Sequence, residues 1–130
     1  MTGQGQALPG APFTCKVVGV SFTPNYPDNL WALYEAVNGT DPRGEELACV
    51  LVRKPDNEHD PNAIEVHVPQ EGIGMIGHIN RGVALRLACE LDLGIPWRAE
   101  LHQVLVSPGH EDRPGIEIRL QRIKREDANG

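Results

Sequence analysis

This chain of 130 residues has little of what most DNA- or membrane-binding proteins carry in excess. Positive charge is in deficit: 12 Lys and Arg stand against 18 Asp and Glu, a net charge of -6. That excludes bulk electrostatic attachment to DNA or to an anionic membrane, though not a small site with its own cations. Aromatic residues make up only 5%, so every exposed ring is a candidate contact. No apolar run approaches the roughly 18 residues that a membrane-crossing helix needs. The N-terminus has no basic stretch followed by an apolar one, so secretion is not indicated. Cys15, Cys49 and Cys89 are too few and too far apart for a CxxC zinc site. Each lies in an apolar run, which reads as a reduced, buried thiol in a cytoplasmic protein. The five histidines show neither HxxxH nor HExxH spacing.

What is present is an ordinary globular composition, 40% hydrophobic and 23% charged. A chain of this length buries roughly two thirds of its unfolded surface, enough for one core. Residues 1–12 are rich in Gly, Gln and Pro and read as a disordered tail; residues 13–123 form one domain; residues 124–130 read as a frayed end. Six segments have strand character. They are Phe13 to Phe22, Glu45 or Glu46 to Arg53, Ala63 to Val68, Gly74 to Ile79, Trp97 to Val106, and a last one around Ile116, Ile118 and Leu120. The second shows little alternation and is expected to be covered on both faces.

Two helices separate them. Leu30, Leu33, Tyr34 and Val37 share one face of a short helix opened by Pro27 and closed by Gly39, with Trp31 at the margin of that face. Asn80 is placed to cap a second helix from Arg81 to about Leu93, with Ala84, Leu87, Ala88 and Leu91 inward and Gly94 ending it. Arg86 and Glu90 are spaced to pair on its solvent side. The fold class is therefore α+β: a small six-stranded β-barrel with two helices in its connections.

The most informative stretch joins the second and third strands, Arg53-Lys54-Pro55-Asp56-Asn57-Glu58-His59-Asp60-Pro61-Asn62-Ala63. It is too long for a tight hairpin. Asp and Asn side chains bond back to nearby N–H groups and mimic turns, and two prolines restrict the backbone further. Such a loop holds His59, Asp60 and Asn62 at defined positions. Asp56, Glu58, Asp60 and Asn62 alternate as in a calcium loop. However, Pro61 and His67 stand where that loop needs its glycine and its bidentate glutamate, so no metal is assigned. His59 and Asp60 are adjacent and point apart on extended chain, so they make a poor acid–base pair. No nucleophile elbow or phosphate-binding loop is present, and no catalytic residue or cofactor is assigned. Nucleic acid fits better. His78, Asn80 and Arg81 lie at a helix start, where N–H groups and the dipole favour phosphate. Lys54 adds a cation, and Phe22 offers a ring to a base.

Val17-Val18-Gly19-Val20-Ser21-Phe22, then Leu51-Val52-Arg53 with Pro55, Asn57, Asp60 and Asn62-Ala63-Ile64, then Ile76-Gly77-His78-Ile79 and Ala84 together resemble the HIRAN domain. That module stands at the N-terminus of DNA translocases of the helicase-like-transcription-factor type and also occurs free-standing in bacteria and phages. The resemblance runs from about Phe13 to Ile123. It implies an OB-like barrel that captures the 3′-hydroxyl end of single-stranded DNA. By that likeness Asp60 receives the terminal hydroxyl and His59 flanks it. Asp56 and Asn57 lie beside the terminal bases, His78 and Arg81 hold backbone phosphate, and Phe22 and Thr23 match the family's aromatic pair. It also implies DNA repair or replication-fork processing, with a helicase or other repair protein as a partner and no membrane.

The departures are Ser21, which is not basic, Thr23, which is not aromatic, Asp56 in place of a neutral amide, and His59 where an aromatic residue is common. They point to weakened or altered DNA binding. The alternatives are a barrel that binds protein instead of DNA, and a metal-dependent nucleic-acid hydrolase built on Asp56, Glu58 and Asp60.

Overall fold

In the computed structural model, which describes residues 8, 11–39, 47–107, 109–110 and 114–123, the strands alternate buried and more exposed residues, most regularly in the first, third and last, and close into a barrel. The elements are β1 (Phe13–Val18), a 3-10 turn (Val20–Phe22), α1 (Asp28–Asn38), β2 (Ala48–Arg53), β3 (Ile64–Val68), β4 (Gly74–Ile79), α2 (Arg81–Asp92), β5 (Trp97–Leu105) and β6 (Gly115–Arg122). The order around the barrel is β1-β4-β3-β2-β5-β6, antiparallel at every junction. Closure leaves no open strand edge, the usual weakness of a small sheet. Ile64, Ile118 and Leu120 are fully buried in its interior, each contributing about 1.5–3 kcal/mol of apolar burial.

Both helices contribute to the core. Leu30 and Leu33 of α1 are buried, and α1 packs against β4 and β5. Asn29, also buried, donates through Nδ2 to the Met75 carbonyl at the start of β4 (2.8 Å). Ala84, Leu87 and Ala88 of α2 also enter the core. Asn80 caps α2 as its sequence suggests, its Oδ1 accepting the Val83 N–H at 3.2 Å. Gly94 follows with φ +81°, the left-handed turn that ends a helix at little cost only in glycine.

Several expectations change. β1 ends at Val18 rather than Phe22, because Gly19 adopts φ +71° and turns the chain into the 3-10 segment. β2 is not covered on both faces: Cys49 points inward while Ala48 and Val50 are exposed. Cys89 is exposed on α2, although Cys15 and Cys49 are buried as expected. Glu90 is not on the solvent side. Its carboxylate accepts from Arg122 Nε (2.9 Å) and Nη2 (2.8 Å) and from Trp97 Nε1 (3.0 Å), tying α2 to the end of β6 and the start of β5. Arg122 also stands over the Trp97 ring, 5.0 Å from its centre. Gly39 follows α1 but in an extended conformation, not a left-handed one. The tail at 1–7 and 9–10, the loop at 40–46 with the expected start of the second strand, residues 108 and 111–113 of the loop before β6, and the end at 124–130 lie outside the described residues. No helix among the described residues is long and apolar enough to cross a membrane.

Candidate nucleic-acid interface

The loop between β2 and β3 is built by its own side chains. Asn57 Oδ1 accepts the N–H groups of His59 (2.8 Å) and Asp60 (2.9 Å). Asp60 Oδ1 accepts the Asn62 N–H at 2.9 Å. Backbone bonds close the frame: Asn57 N–H to the Lys54 carbonyl (3.1 Å), Ala63 N–H to Asp60 (3.0 Å) and Lys54 N–H to Ala63 (3.0 Å). These are Asx turns stacked on a β-turn. The result is a rigid corner with Asp56, Glu58 and His59 exposed, and Lys54, Asn57, Asp60 and Asn62 half-buried.

Arg53, the last residue of β2, holds this corner to the barrel. Its Nη1 donates to the carbonyls of Pro61 and Ala63, both at 3.0 Å, while Nε and Nη2 grip the two oxygens of Asp92 at 2.9 and 3.0 Å. The hydrogen bonds to Asp92 hold the guanidinium even more firmly protonated and draw the Asp92 carboxyl below its ordinary range.

Strand register gathers the rest. Val18 pairs with His78, His78 with Glu65, and Glu65 with Val52. The end of β1, the end of β4, the start of β3 and the end of β2 thus lie side by side. The 54–62 loop and the Asn80–Arg81 helix start emerge from that same end. His78 is half-buried on the outer wall, and a side-chain carbon placed on Gly19 would come within 3.9 Å of its Nδ1. Arg81 is exposed in the first turn of α2, which contains no acidic residue.

Gly77 makes the packing of β1 on β4 possible. It has φ +147°, and a Cβ there would stand 2.5 Å from the Val18 carbonyl oxygen and 2.6 Å from Val17 Cγ1.

The 3-10 turn presents Phe22, 89% exposed. Thr23, its neighbour, is turned the other way. It is buried, its hydroxyl donates to the Val20 carbonyl (2.8 Å), and it accepts from Asn29 Nδ2 (2.8 Å). An open groove of about 430 Å³ runs beside this turn, lined by residues 16–22 and 114–116. It opens on the β6 side of the turn and contains no residue of the 55–62 loop.

Asp56, Glu58 and Asp60 do not gather into a group that could hold a metal ion, and no such group of His, Cys, Asp or Glu occurs among the described residues. Burial, helped by Glu117 and Glu100 respectively, pushes the Cys15 and Cys49 thiols up to about 12, so neither is a thiolate nucleophile near neutral pH. Sequence reasoning overlooked Asp92 and gave Arg53 no partner. One signal was available: an aspartate at the last position of a helix opposes the dipole and calls for a cation nearby.

The HIRAN domain family matches residues 13–121 of this chain. Two solved structures share the fold. One is a protein from Lactobacillus plantarum, 24% identical, with a TM-score of 0.59 over 86% of this chain and 95% of that one. The other is the HIRAN domain of human HLTF, 18% identical, with a TM-score of 0.59 over 92% of this chain and 81% of that one. No curated protein matches in the sequence comparison.

Proposed function

This chain belongs to the HIRAN domain family, whose members are nucleic-acid-binding rather than catalytic modules, and from that premise we propose that it captures the 3′-hydroxyl end of single-stranded DNA. The observation that carries the reading is Asp60. Its carboxylate is fixed at the tip of a rigid turn, with Oδ1 committed to the Asn62 N–H, and Oδ2 is left to accept the terminal O–H. A continuing strand or a terminal phosphate would instead bring negative charge against it.

The neighbouring residues take complementary roles. Asn57 spends its carbonyl oxygen on the loop, and its amide N–H groups face the terminal base together with Asp56. His59, exposed beside Asp60, flanks the terminal sugar. Phe22 stacks on a base, with the groove beside it taking the neighbouring nucleotide. Arg81, at the positive end of α2, contacts backbone phosphate together with His78 and Lys54. Thr23 serves by holding the turn beneath Phe22. The setting is DNA repair or replication-fork processing, with a helicase or another repair protein as partner.

The test is a fluorescence-anisotropy titration of matched single strands ending in 3′-hydroxyl or 3′-phosphate. Wild type should prefer the hydroxyl end, and Asp60→Asn should narrow the difference. Equal binding of both ends by wild type would remove the assigned role of Asp60. A second reading, a barrel that binds protein, is favoured by the acid-rich corner and by Trp31, which is 44% exposed and edge-on to Tyr34. Absence of DNA binding at low salt would select it.

A further inference from the structure

Arg53 stands among the cations nearest the proposed site, yet its side chain is only 17% exposed and nearly all of its donors are spent. One face of the guanidinium holds the two carbonyls that follow Asp60 in the loop, Pro61 and Ala63. The other face forms a bidentate fork on Asp92, the strongest geometry available to an Arg–carboxylate pair. Asp60 is therefore held from both sides. Its own N–H is taken by Asn57 Oδ1, and the carbonyl of the next residue is taken by Arg53. Pro61 between them has a fixed φ. The far end of the clamp is the last residue of α2, whose first residue is Arg81, so one side chain ties the hydroxyl-facing turn to the phosphate-facing helix.

We propose that Arg53 is a positioning residue: the Arg53–Asp92 fork sets the attitude of the Asp60 carboxylate, and the choice between 3′ ends depends on that fork rather than on any contact of Arg53 with DNA. The proposal rests on the reading of Asp60 given above. Lysine at this position keeps the charge but cannot hold two carbonyls and a carboxylate in one plane. Asparagine at position 92 keeps the size but removes the charge that the fork needs.

The experiment uses the full chain as wild type, Arg53→Lys, Arg53→Gln and Asp92→Asn. Each is held well below its melting temperature and titrated with 5′-labelled oligothymidylate ending in 3′-hydroxyl or 3′-phosphate at several salt concentrations. Both Arg53 variants should bind the two ends equally with an unchanged salt slope, and Asp92→Asn should lose part of the preference. The proposal is overturned if Arg53→Lys keeps the wild-type ratio. It is equally overturned if the Arg53 variants weaken both ends together with a shallower salt dependence, the mark of a phosphate ligand. Amide hydrogen exchange at Asp60, Asn62 and Ala63 separates this proposal from the one beneath it. Lost protection in Arg53→Lys with no end preference in wild type would condemn the reading of Asp60 and leave the clamp standing. Unchanged protection would condemn the clamp itself.

Discussion

Replacing Gly77 with alanine tests the junction on which the site is built. The added methyl would meet the Val18 carbonyl oxygen at 2.5 Å and Val17 Cγ1 at 2.6 Å, on a backbone whose φ is +147°. The first obstacle is main chain in a closed barrel and has no rotamer to escape into. Holding a non-glycine residue in that region of φ costs about 1–3 kcal/mol. Overpacking a tight interior costs about 1–3 kcal/mol more. One buried methyl and a less flexible unfolded chain return roughly 1 kcal/mol. The net loss is about 1–5 kcal/mol, which for a domain of this size lowers the melting temperature by about 4–20 °C, at roughly 4 °C per kcal/mol. Gly74→Ala is the control. It too has a positive φ, +65°, but nothing lies within 4 Å of a Cβ there, so only the backbone cost of about 1–2 kcal/mol applies. The assay is thermal unfolding by circular dichroism, with strand titration of whatever remains folded. Because relief of the clash spreads β1 from β4 beside the Val18–His78 pair, DNA affinity should also fall. Equal destabilisation of the two variants would refute the close approach of the strands.

The remaining predictions concern charge and the exposed ring. Hydrogen bonds from Arg122, then from Trp97, hold the Glu90 carboxyl below its ordinary range against the opposing effect of burial. A depressed folded-state pKa stabilises above the unfolded value, and the contribution is lost as pH falls through the folded value. The melting temperature of wild type should therefore exceed that of Glu90→Gln at neutral pH, and the gap should shrink as pH falls below the ordinary glutamate value of about 4.3; a constant gap would deny the linkage. Phe22→Ala should leave stability within about 0.5 kcal/mol, because the ring is almost free. Its affinity for single strands should fall at least about fivefold, from a stacking loss of roughly 1–3 kcal/mol, and unchanged affinity would remove the ring from the site. With Arg81 and Lys54 as the proposed phosphate cations, log affinity should fall with log salt at a slope of about −1.4, taking roughly −0.7 per phosphate for single strands. A slope steeper than about −3 would mean that a wider basic face binds the strand.

The architecture was legible where sequence pattern and local chemistry agree. β4 was placed at its observed bounds because glycines frame an apolar centre, and α2 because Asn80 and Gly94 mark its ends. The strand β1 is read too long because Val20 and Phe22 have β propensity, while the signal against them is a single glycine, Gly19, which adopts φ +71°. In the corner, the Asx bonds of Asn57 and Asp60 could be anticipated, since their partners are two or three residues away. The Arg53–Asp92 fork could not, because it joins residues 39 apart and follows from barrel closure. Thr23 shows the same limit. Its burial depends on Asn29 and the first turn of α1, which no spacing within its own segment reveals.

An acidic chain that binds DNA looks like a contradiction only if affinity is expected from the phosphate backbone. At the proposed site Arg53 is consumed by Asp92, while the loop itself carries Asp56, Glu58 and Asp60. A strand passing through would bring phosphate against these carboxylates. Two unit charges at 4 Å repel by about 1 kcal/mol in water and about 4 kcal/mol at an effective dielectric of 20. A half-buried carboxylate such as Asp60 lies between those limits. Repulsion of that size disfavours an internal nucleotide or a terminal phosphate by roughly fivefold to a thousandfold, while a terminal hydroxyl escapes it and gains a charge-assisted hydrogen bond. On the proposed reading, then, the negative corner supplies selectivity and the ring and helix start supply affinity. Reversing the corner's charge should make binding stronger and less particular about ends, a pairing of effects that a site built on general phosphate attraction would not produce.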